Sequence, residues 1–237
     1  MAERTLAKER GFILYEDALA GHAGDEWFSA RHWARRRSLC GGAQGGRGDT
    51  WIITGTDGDW VLRHYRRGGW AAKLTADFYA WAGLEHSRPW REWRLLYSLY
   101  KEGLPVPQPL AARVQCHGLV YRGDLITRWI PDSRSLASRL QIYDIDQLPW
   151  HAVGACLRRF HDAGVQHGDL NAHNILIDAD ERVFLIDFDK SRRRAPAFGW
   201  QKANLHRLWR SLHKLAPASL IEGQAWTNLL EGYRSRG

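Results

Sequence analysis

One stretch of 25 residues, His167 to Ser191, restricts what this 237-residue chain can build more than any other. It reads H-G-D-L-N-A-H-N-I-L-I-D-A-D-E-R-V-F-L-I-D-F-D-K-S, with Asp169, then Asn174 five residues later and Asp187 thirteen beyond that. A polar turn in its middle lets the two flanking apolar runs fold back on each other as a short hairpin. The first carboxylate then lies where the chain enters the hairpin, and the amide and second carboxylate lie at its two ends. Phosphoryl transfer from ATP needs such a set. One carboxylate orients and deprotonates an attacking hydroxyl, while an amide and another carboxylate hold Mg²⁺ on the phosphates.

Asp169 is therefore the expected base or orienting carboxylate for an acceptor hydroxyl. Asn174 supplies a neutral amide oxygen and Asp187 a carboxylate oxygen, both hard donors suited to Mg²⁺. His167 is expected to organise the loop through a backbone hydrogen bond. A turn merely rich in Asp and Asn, with Asp189 pairing Lys190, would contain some of these residues, but the whole set in this order argues for chemistry. The order matches the protein-kinase signature H-R-D-x-x-x-x-N followed by D-F-G, with Gly168 in place of Arg and Asp189 in place of Gly.

Composition leaves that reading room. A hydrophobic fraction of 44% and a charged fraction of 25% suit a globular protein with a substantial core. No run approaches the roughly 20 apolar residues of a membrane span, and the first ten residues lack an apolar signal-peptide core. Cys40, Cys116 and Cys156 are scattered, as expected of a reducing compartment rather than a disulfide framework. With 34 Lys+Arg against 26 Asp+Glu, the net charge is +8, which favours anionic partners such as a nucleotide or an anionic membrane face. The excess is spread over both halves without a polybasic tail, against a nucleic-acid-binding role. Six of the 13 tryptophans fall between Trp51 and Trp93 among arginines, placing them in a packed core or on a membrane-facing surface.

Along the chain, residues 1–40 carry a weak helical pattern over Glu26–Arg37, with Trp27, Ala30 and Ala34 in register. A glycine-rich run, Gly41 to Gly48, precedes Trp51-Ile-Ile-Thr and Trp60-Val-Leu-Arg-His-Tyr, which read as a hairpin closed by the five residues Gly55–Asp59. A helix is expected from Pro89 to about Glu102, with Trp90, Trp93, Leu96, Tyr97 and Tyr100 on one face and Gly103 as its cap. Leu119-Val-Tyr and Leu125–Ile130, separated by Arg122-Gly-Asp, suggest another hairpin. After Pro131 the pattern turns helical. Pro149 opens a helix that buries Trp150, Val153, Leu157 and Phe160. Leu205, Leu208, Trp209, Leu212 and Leu215 mark another, and Ala218–Leu230 a last. Strands first and helices later make an α+β pattern.

The nucleotide side is less sharply written. Gly45, Gly46 and Gly48 of the glycine-rich run can bring backbone N–H groups onto phosphates, although the run does not fit G-x-G-x-x-G in register. Arg63 stands where V-A-I-K places its lysine, and Glu92 in the following helix is its natural acidic partner. Lys73 is the alternative cation.

V-L-R-H-Y-R-R-G-G (61–69), R-E-W-R-L-L (91–96), G-L-P-V-P-Q-P (103–109), the motif stretch through Arg192, and Gly199-Trp200 with Asn204-Leu-His-Arg-Leu-Trp-Arg-Ser-Leu resemble one family over most of residues 41–215. It is the 3-deoxy-D-manno-octulosonic acid (Kdo) kinase family, within the lipopolysaccharide-core kinases of Gram-negative bacteria. The resemblance implies a bilobal protein-kinase-like fold, with an antiparallel-sheet N-lobe over residues 1–130 and a mostly helical, truncated C-lobe over 131–237, together one domain. It also implies ATP-dependent phosphorylation of the 4-hydroxyl of Kdo on a Kdo–lipid A precursor, by an enzyme held peripherally at the cytoplasmic face of the inner membrane. With 50 residues after Asp187 and no A-P-E motif, no platform for a protein substrate is expected, nor an obligate protein partner. Arg66 and Arg67, or Lys190 with Arg192, Arg193 and Arg194, are the basic groups that would meet the anionic acceptor.

Two rivals stay open at this level. Another small hydroxylated substrate, a lipopolysaccharide heptose or an aminoglycoside, would use the same motif. A catalytically inactive kinase-like module on an anionic membrane would draw support from Arg63 in the lysine position, but the intact Asp169, Asn174 and Asp187 argue against it.

Overall fold

A computed structural model describes residues 2–19, 23–36, 38–42, 50–55, 57–66 and 77–235. They form two compact units. The first takes residues 1–98 and 107–129, the second residues 99–106 and 130–237.

The first unit is built on an antiparallel sheet. Its strands are β1 (Glu3–Lys8), β2 (Gly11–Glu16), β3 (Leu39–Gly42), β4 (Thr50–Gly55), β5 (Gly58–His64), β6 (Tyr79–Ala80), β7 (Pro109–His117) and β8 (Val120–Arg128). The order is β1-β2-β7-β8-β5-β4-β3, with β6 pairing the start of β8. Side chains alternate across such a sheet, and the registers show which share a face. Leu62 is opposite Ile126, and His64 opposite Asp124. Trp60 and Leu62 join Ile13, Ile53, Ala111 and Ile126 in a core closed by Trp27, Phe28 and Trp33. The Trp27 and Trp33 rings sit 5.3 and 5.8 Å from Trp60. These aromatics come from a 3₁₀ turn, Asp25–Phe28, and helix α1 (Ala30–Arg35), whose N-cap Ser29 accepts from His32 N–H. Ser29 thus splits the helix expected over Glu26–Arg37. Trp60, Trp90 and Trp93 are fully buried, so these three are packing residues.

Helix α2 (Arg88–Lys101) lies on the opposite face. Its Pro89 sits against Gly123, where an added Cβ would come within 2.3 Å of Pro89 Cγ, and its Arg88 N–H donates to the Tyr121 hydroxyl at 2.9 Å. Tyr121, Gly123 and Leu125 alternate to that face, which their strand partner Arg63 shares. The helix ends as Gly103 takes φ 74°, its N–H bonding Tyr100 C=O while Leu104 N–H bonds Leu99 C=O, the Schellman closure expected of a C-terminal glycine.

Two hairpins differ from expectation. Gly55 pairs with Gly58, so the β4–β5 connection has two residues instead of five. The Thr54 hydroxyl donating to Asp59 at 3.0 Å extends the ladder into the expected loop. Arg122-Gly-Asp is no turn but the middle of β8, and the turn is Gly118-Leu119. Glycine is there for the close approach of Pro89, and Asp124 is buried because Arg113 (2.9 Å) and His64 (2.7 Å) hold its two oxygens from the flanking strands.

The second unit packs helices α3 (Leu136–Arg139), α4 (Trp150–Asp162), α5 (Phe198–Leu212) and α6 (Trp226–Arg234) with small sheets. Strands β12 (Val183–Leu185), β11 (Ile175–Ile177) and β9 (Arg134–Ser135) make one sheet, and β10 (Val165–Gln166) with β13 (Arg192–Arg193) the other. Trp150, Val153, Leu157 and Phe160 of α4 are buried as their spacing predicts. In α5 the buried stripe is Trp200, Asn204, Leu208 and Leu212, so a polar residue replaces the expected Leu205 and Trp209. The last helix expected, Ala218–Leu230, is broken at Gly223, whose ψ of −134° leaves helical geometry, and α6 follows the break. Among the described residues, no helix is long and apolar enough to cross a membrane.

Candidate functional site

In the first unit, strand alternation brings Arg63 and Tyr65 to the α2 face. Both meet Glu92. The Arg63 guanidinium and the Tyr65 hydroxyl each donate to Glu92 Oε2, and Arg63 Nη2 also donates to the Tyr65 hydroxyl at 3.1 Å. Arg63 lies over the Tyr65 ring at 4.8 Å, and Arg88 approaches the same ring at 5.6 Å. Glu92 is almost fully buried, whereas the Arg63 side chain is 24% exposed, which leaves the cation reachable by an anion. Burial and the neighbouring Glu92 carboxylate push the Tyr65 hydroxyl well above its usual range, so it stays a donor. The expected Arg63–Glu92 pair is thus present, and Tyr65 is the member the sequence reading missed. Gly45, Gly46, Gly48 and Lys73 lie outside the described residues.

In the second unit, the loop between β10 and β11 carries Asp169 and Asn174. Backbone and side-chain bonds fix it residue by residue. His167 is buried, its Nε2–H donates to Ile186 C=O at 3.0 Å, and its Nδ1 accepts Asp169 N–H at 3.1 Å. One nitrogen donates and the other accepts, so the ring is the neutral Nε2–H tautomer, in keeping with a pKa lowered by burial. Its expected single backbone bond is two. The Phe188 ring packs edge-on against His167 at 4.9 Å, with Phe160 beyond it at 5.9 Å.

Gly168 explains the departure from H-R-D. Its N–H donates to Ser191 Oγ at 3.0 Å, and a Cβ there would lie 2.4 Å from the Lys190 carbonyl carbon. Asn171 caps the 3₁₀ turn Ala172–Asn174, accepting from His173 N–H at 2.9 Å. The Asn171 and Asn174 side-chain amides both donate to Asp169 C=O, at 3.0 and 2.9 Å. With its nitrogen committed, Asn174 has Oδ1 as the atom left to bind a cation.

The β11–β12 hairpin brings the far end of the motif back. Ile175 pairs with Leu185, and Ile186 N–H bonds Asn174 C=O at 3.1 Å, so Asp187 follows the residue bonded to Asn174. Asp187 takes φ 64°, a left-handed conformation uncommon for a non-glycine residue. Asn174 is thus the link: its side-chain amide holds the Asp169 backbone, and its own C=O holds the residue before Asp187. An amide oxygen and a carboxylate are a donor set of the hard-oxygen kind.

A family model described as the lipopolysaccharide kinase (Kdo/WaaP) family matches residues 30–233. The chain belongs to that family. This lipopolysaccharide kinase is 43% identical over 212 residues to a 3-deoxy-D-manno-octulosonic acid kinase of Stenotrophomonas maltophilia strain R551-3, covering 90% of this chain and 84% of the relative. It is 42% identical over 202 residues to a 3-deoxy-D-manno-octulosonic acid kinase of Vibrio cholerae, covering 85% of each. A solved structure of WaaP in complex with acyl carrier protein matches 99% of this chain and 90% of that one, with TM-score 0.59 at 16% identity. That likeness concerns the fold alone, an α+β protein-kinase-like one.

Sequence reading also missed what α5 of this kinase brings to the loop. Asn204 brackets His167, accepting its N–H at 3.1 Å and donating to its C=O at 2.9 Å. Ser211 Oγ accepts Ala172 N–H at 3.1 Å. Arg207 Nε donates to Asp169 Oδ1 at 2.8 Å, and Nη2 donates to the same oxygen. The signal available was a polar residue, Asn204, interrupting an apolar stripe. The basic cluster is only partly free for a ligand. Arg192 and Arg194 are exposed and share Gln166 Oε1, each at 3.1 Å, whereas Arg193 pairs with Glu102.

Proposed function

We propose that this chain transfers the γ-phosphoryl group of ATP to the 4-hydroxyl of Kdo on a Kdo–lipid A precursor. The observation that carries the reading is the loop in which His167 and Asn204 hold the backbone around Asp169 while the β11–β12 pairing returns Asp187 beside Asn174. Asp169 orients the acceptor hydroxyl and takes its proton as the oxygen bonds the γ-phosphorus and the bond to ADP breaks. Asn174 Oδ1 and the Asp187 carboxylate hold Mg²⁺. When bound, that ion neutralises charge on the phosphates. Arg63, fixed by Glu92 and Tyr65, binds the nucleotide phosphates as a planar fork, and Gly45, Gly46 and Gly48 give them backbone N–H groups.

Kdo as the acceptor is supported by the relatives that carry this name at 42–43% identity over most of both chains. A lipid-linked acceptor rich in phosphate and carboxylate suits a chain of net charge +8 and a peripheral place on the anionic cytoplasmic face of the inner membrane.

The test is phosphate transfer from radiolabelled ATP with Mg²⁺, offering Kdo–lipid A, heptosylated lipid A and an aminoglycoside in parallel, with Asp169→Asn as the blank. Label on Kdo–lipid A that disappears in the variant supports the reading. Label on another acceptor moves the substrate assignment, and no transfer from bound ATP to any of them removes it.

A further inference from the structure

Helix α5 presents Asn204, Arg207 and Ser211 at i, i+3 and i+7, one face of a helix. Between them they hold the loop from His167 to Ala172. Among the described residues, Arg207 alone touches the Asp169 carboxylate, and both of its bonds go to Oδ1. Elsewhere on Asp169, the N–H donates to His167 Nδ1 and the C=O accepts the amides of Asn171 and Asn174. Among the described residues, Oδ2 is the one Asp169 oxygen with no partner.

We infer that Arg207 is a positioning residue: by tying down Oδ1 it turns Oδ2 toward the acceptor hydroxyl. The inference rests on the reading of Asp169 as the group that meets that hydroxyl. Carboxylate rotation about χ2 is soft and roughly two-fold, so backbone bonds alone do not choose which oxygen faces outward or where it stands. Two donors on one oxygen set direction as well as distance, which a lysine ammonium does not do. Both partners have 46% exposed side chains, and exposed pairs add little to stability. The contact therefore serves geometry.

The experiment compares wild type with Arg207→Ala and Arg207→Lys in the phosphate-transfer assay. Expected are a kcat lower by about 100-fold in the alanine variant, the size associated with a misplacement of about 1 Å, KM values for ATP and acceptor within about twofold, and an unchanged melting temperature. Lysine should recover only part of the rate, and added guanidinium ion should restore part of the alanine variant's rate. A kcat near wild type overturns the inference, as does a loss that follows the melting temperature and resists guanidinium. If wild type labels no Kdo acceptor, it is the substrate reading that fails. A crystal structure of Arg207→Ala then decides the inference: a displaced Asp169 carboxylate supports it, and an unmoved one overturns it.

Discussion

Tyr65 and Arg63, two residues apart at the end of β5, converge on a single oxygen of Glu92. The buried carboxylate is thereby held by a charge and a neutral hydroxyl together. Removing the Tyr65 hydroxyl leaves Glu92 with less than its native set of donors. Tyr65→Phe should lower stability by about 1.5–3 kcal/mol, the usual worth of a hydrogen bond to a charged group, and raise the apparent KM for ATP as Arg63 loses its lateral support. Chemical denaturation and initial rates measure both. Wild-type values in each would show that Arg63 alone orders the pair.

Gly168 allows no side chain. Lys190 backbone atoms stand 2.4–2.5 Å from where the Cβ would be, and backbone does not swing aside as a side-chain tip does. Gly168→Ala should shift Asp169 and reduce kcat by about 100-fold while ATP affinity, read by nucleotide titration, stays near native. Retained turnover would mean that the loop accommodates the methyl group without moving the carboxylate.

Acid should weaken the second unit through His161. The ring is buried, its Nδ1 pairs with the Tyr233 hydroxyl at 2.7 Å, and burial lowers its pKa to about 4. An unfolded histidine titrates near 6.5, so between about pH 6.5 and 4 the unfolded chain binds the extra proton. The neutral ring's contribution is complete above pH 6.5 and is lost as pH falls through that window, about 3 kcal/mol in all. Urea unfolding at several pH values should show this slope in wild type and less of it in His161→Phe. Equal slopes would assign the acid sensitivity to other groups.

The three arginines after Asp187 should separate by role. A cation near an anionic lipid surface is worth about 1 kcal/mol. Arg192→Gln with Arg194→Gln should therefore raise the KM for Kdo–lipid A by an order of magnitude or so and leave that for ATP alone. Arg193→Gln, which releases Glu102, should alter stability more than acceptor affinity. An unchanged acceptor KM in the double variant would remove these two from lipid contact.

The motif hairpin, the Arg63–Glu92 pair and the α2 cap were legible because each is local or follows a known spacing. What escaped depends on partners distant in sequence. Arg122-Gly-Asp carries every mark of a turn, yet Pro89 and Arg113 make it strand. Strand β2 passed unmarked within residues 1–40, although Gly11-Phe-Ile-Leu-Tyr-Glu is mostly buried beside β7. Arg207 was one arginine among many, and only the fold reveals that it faces Asp169. Within Glu26–Arg37 the α-helix is confined to Ala30–Arg35 for a smaller reason: Ser29 is a better N-cap than a helix interior.

The three α5 side chains that hold the Asp169 loop lie 37 to 39 residues downstream of the groups they bond. During synthesis the chain proceeds from its N-terminus, so Asp169, Asn174 and Asp187 all emerge before Asn204, Arg207 and Ser211 exist. A nascent or prematurely ended chain lacking α5 would carry the complete motif and still be silent. Competence arrives late, with the helix that has no part in the motif itself.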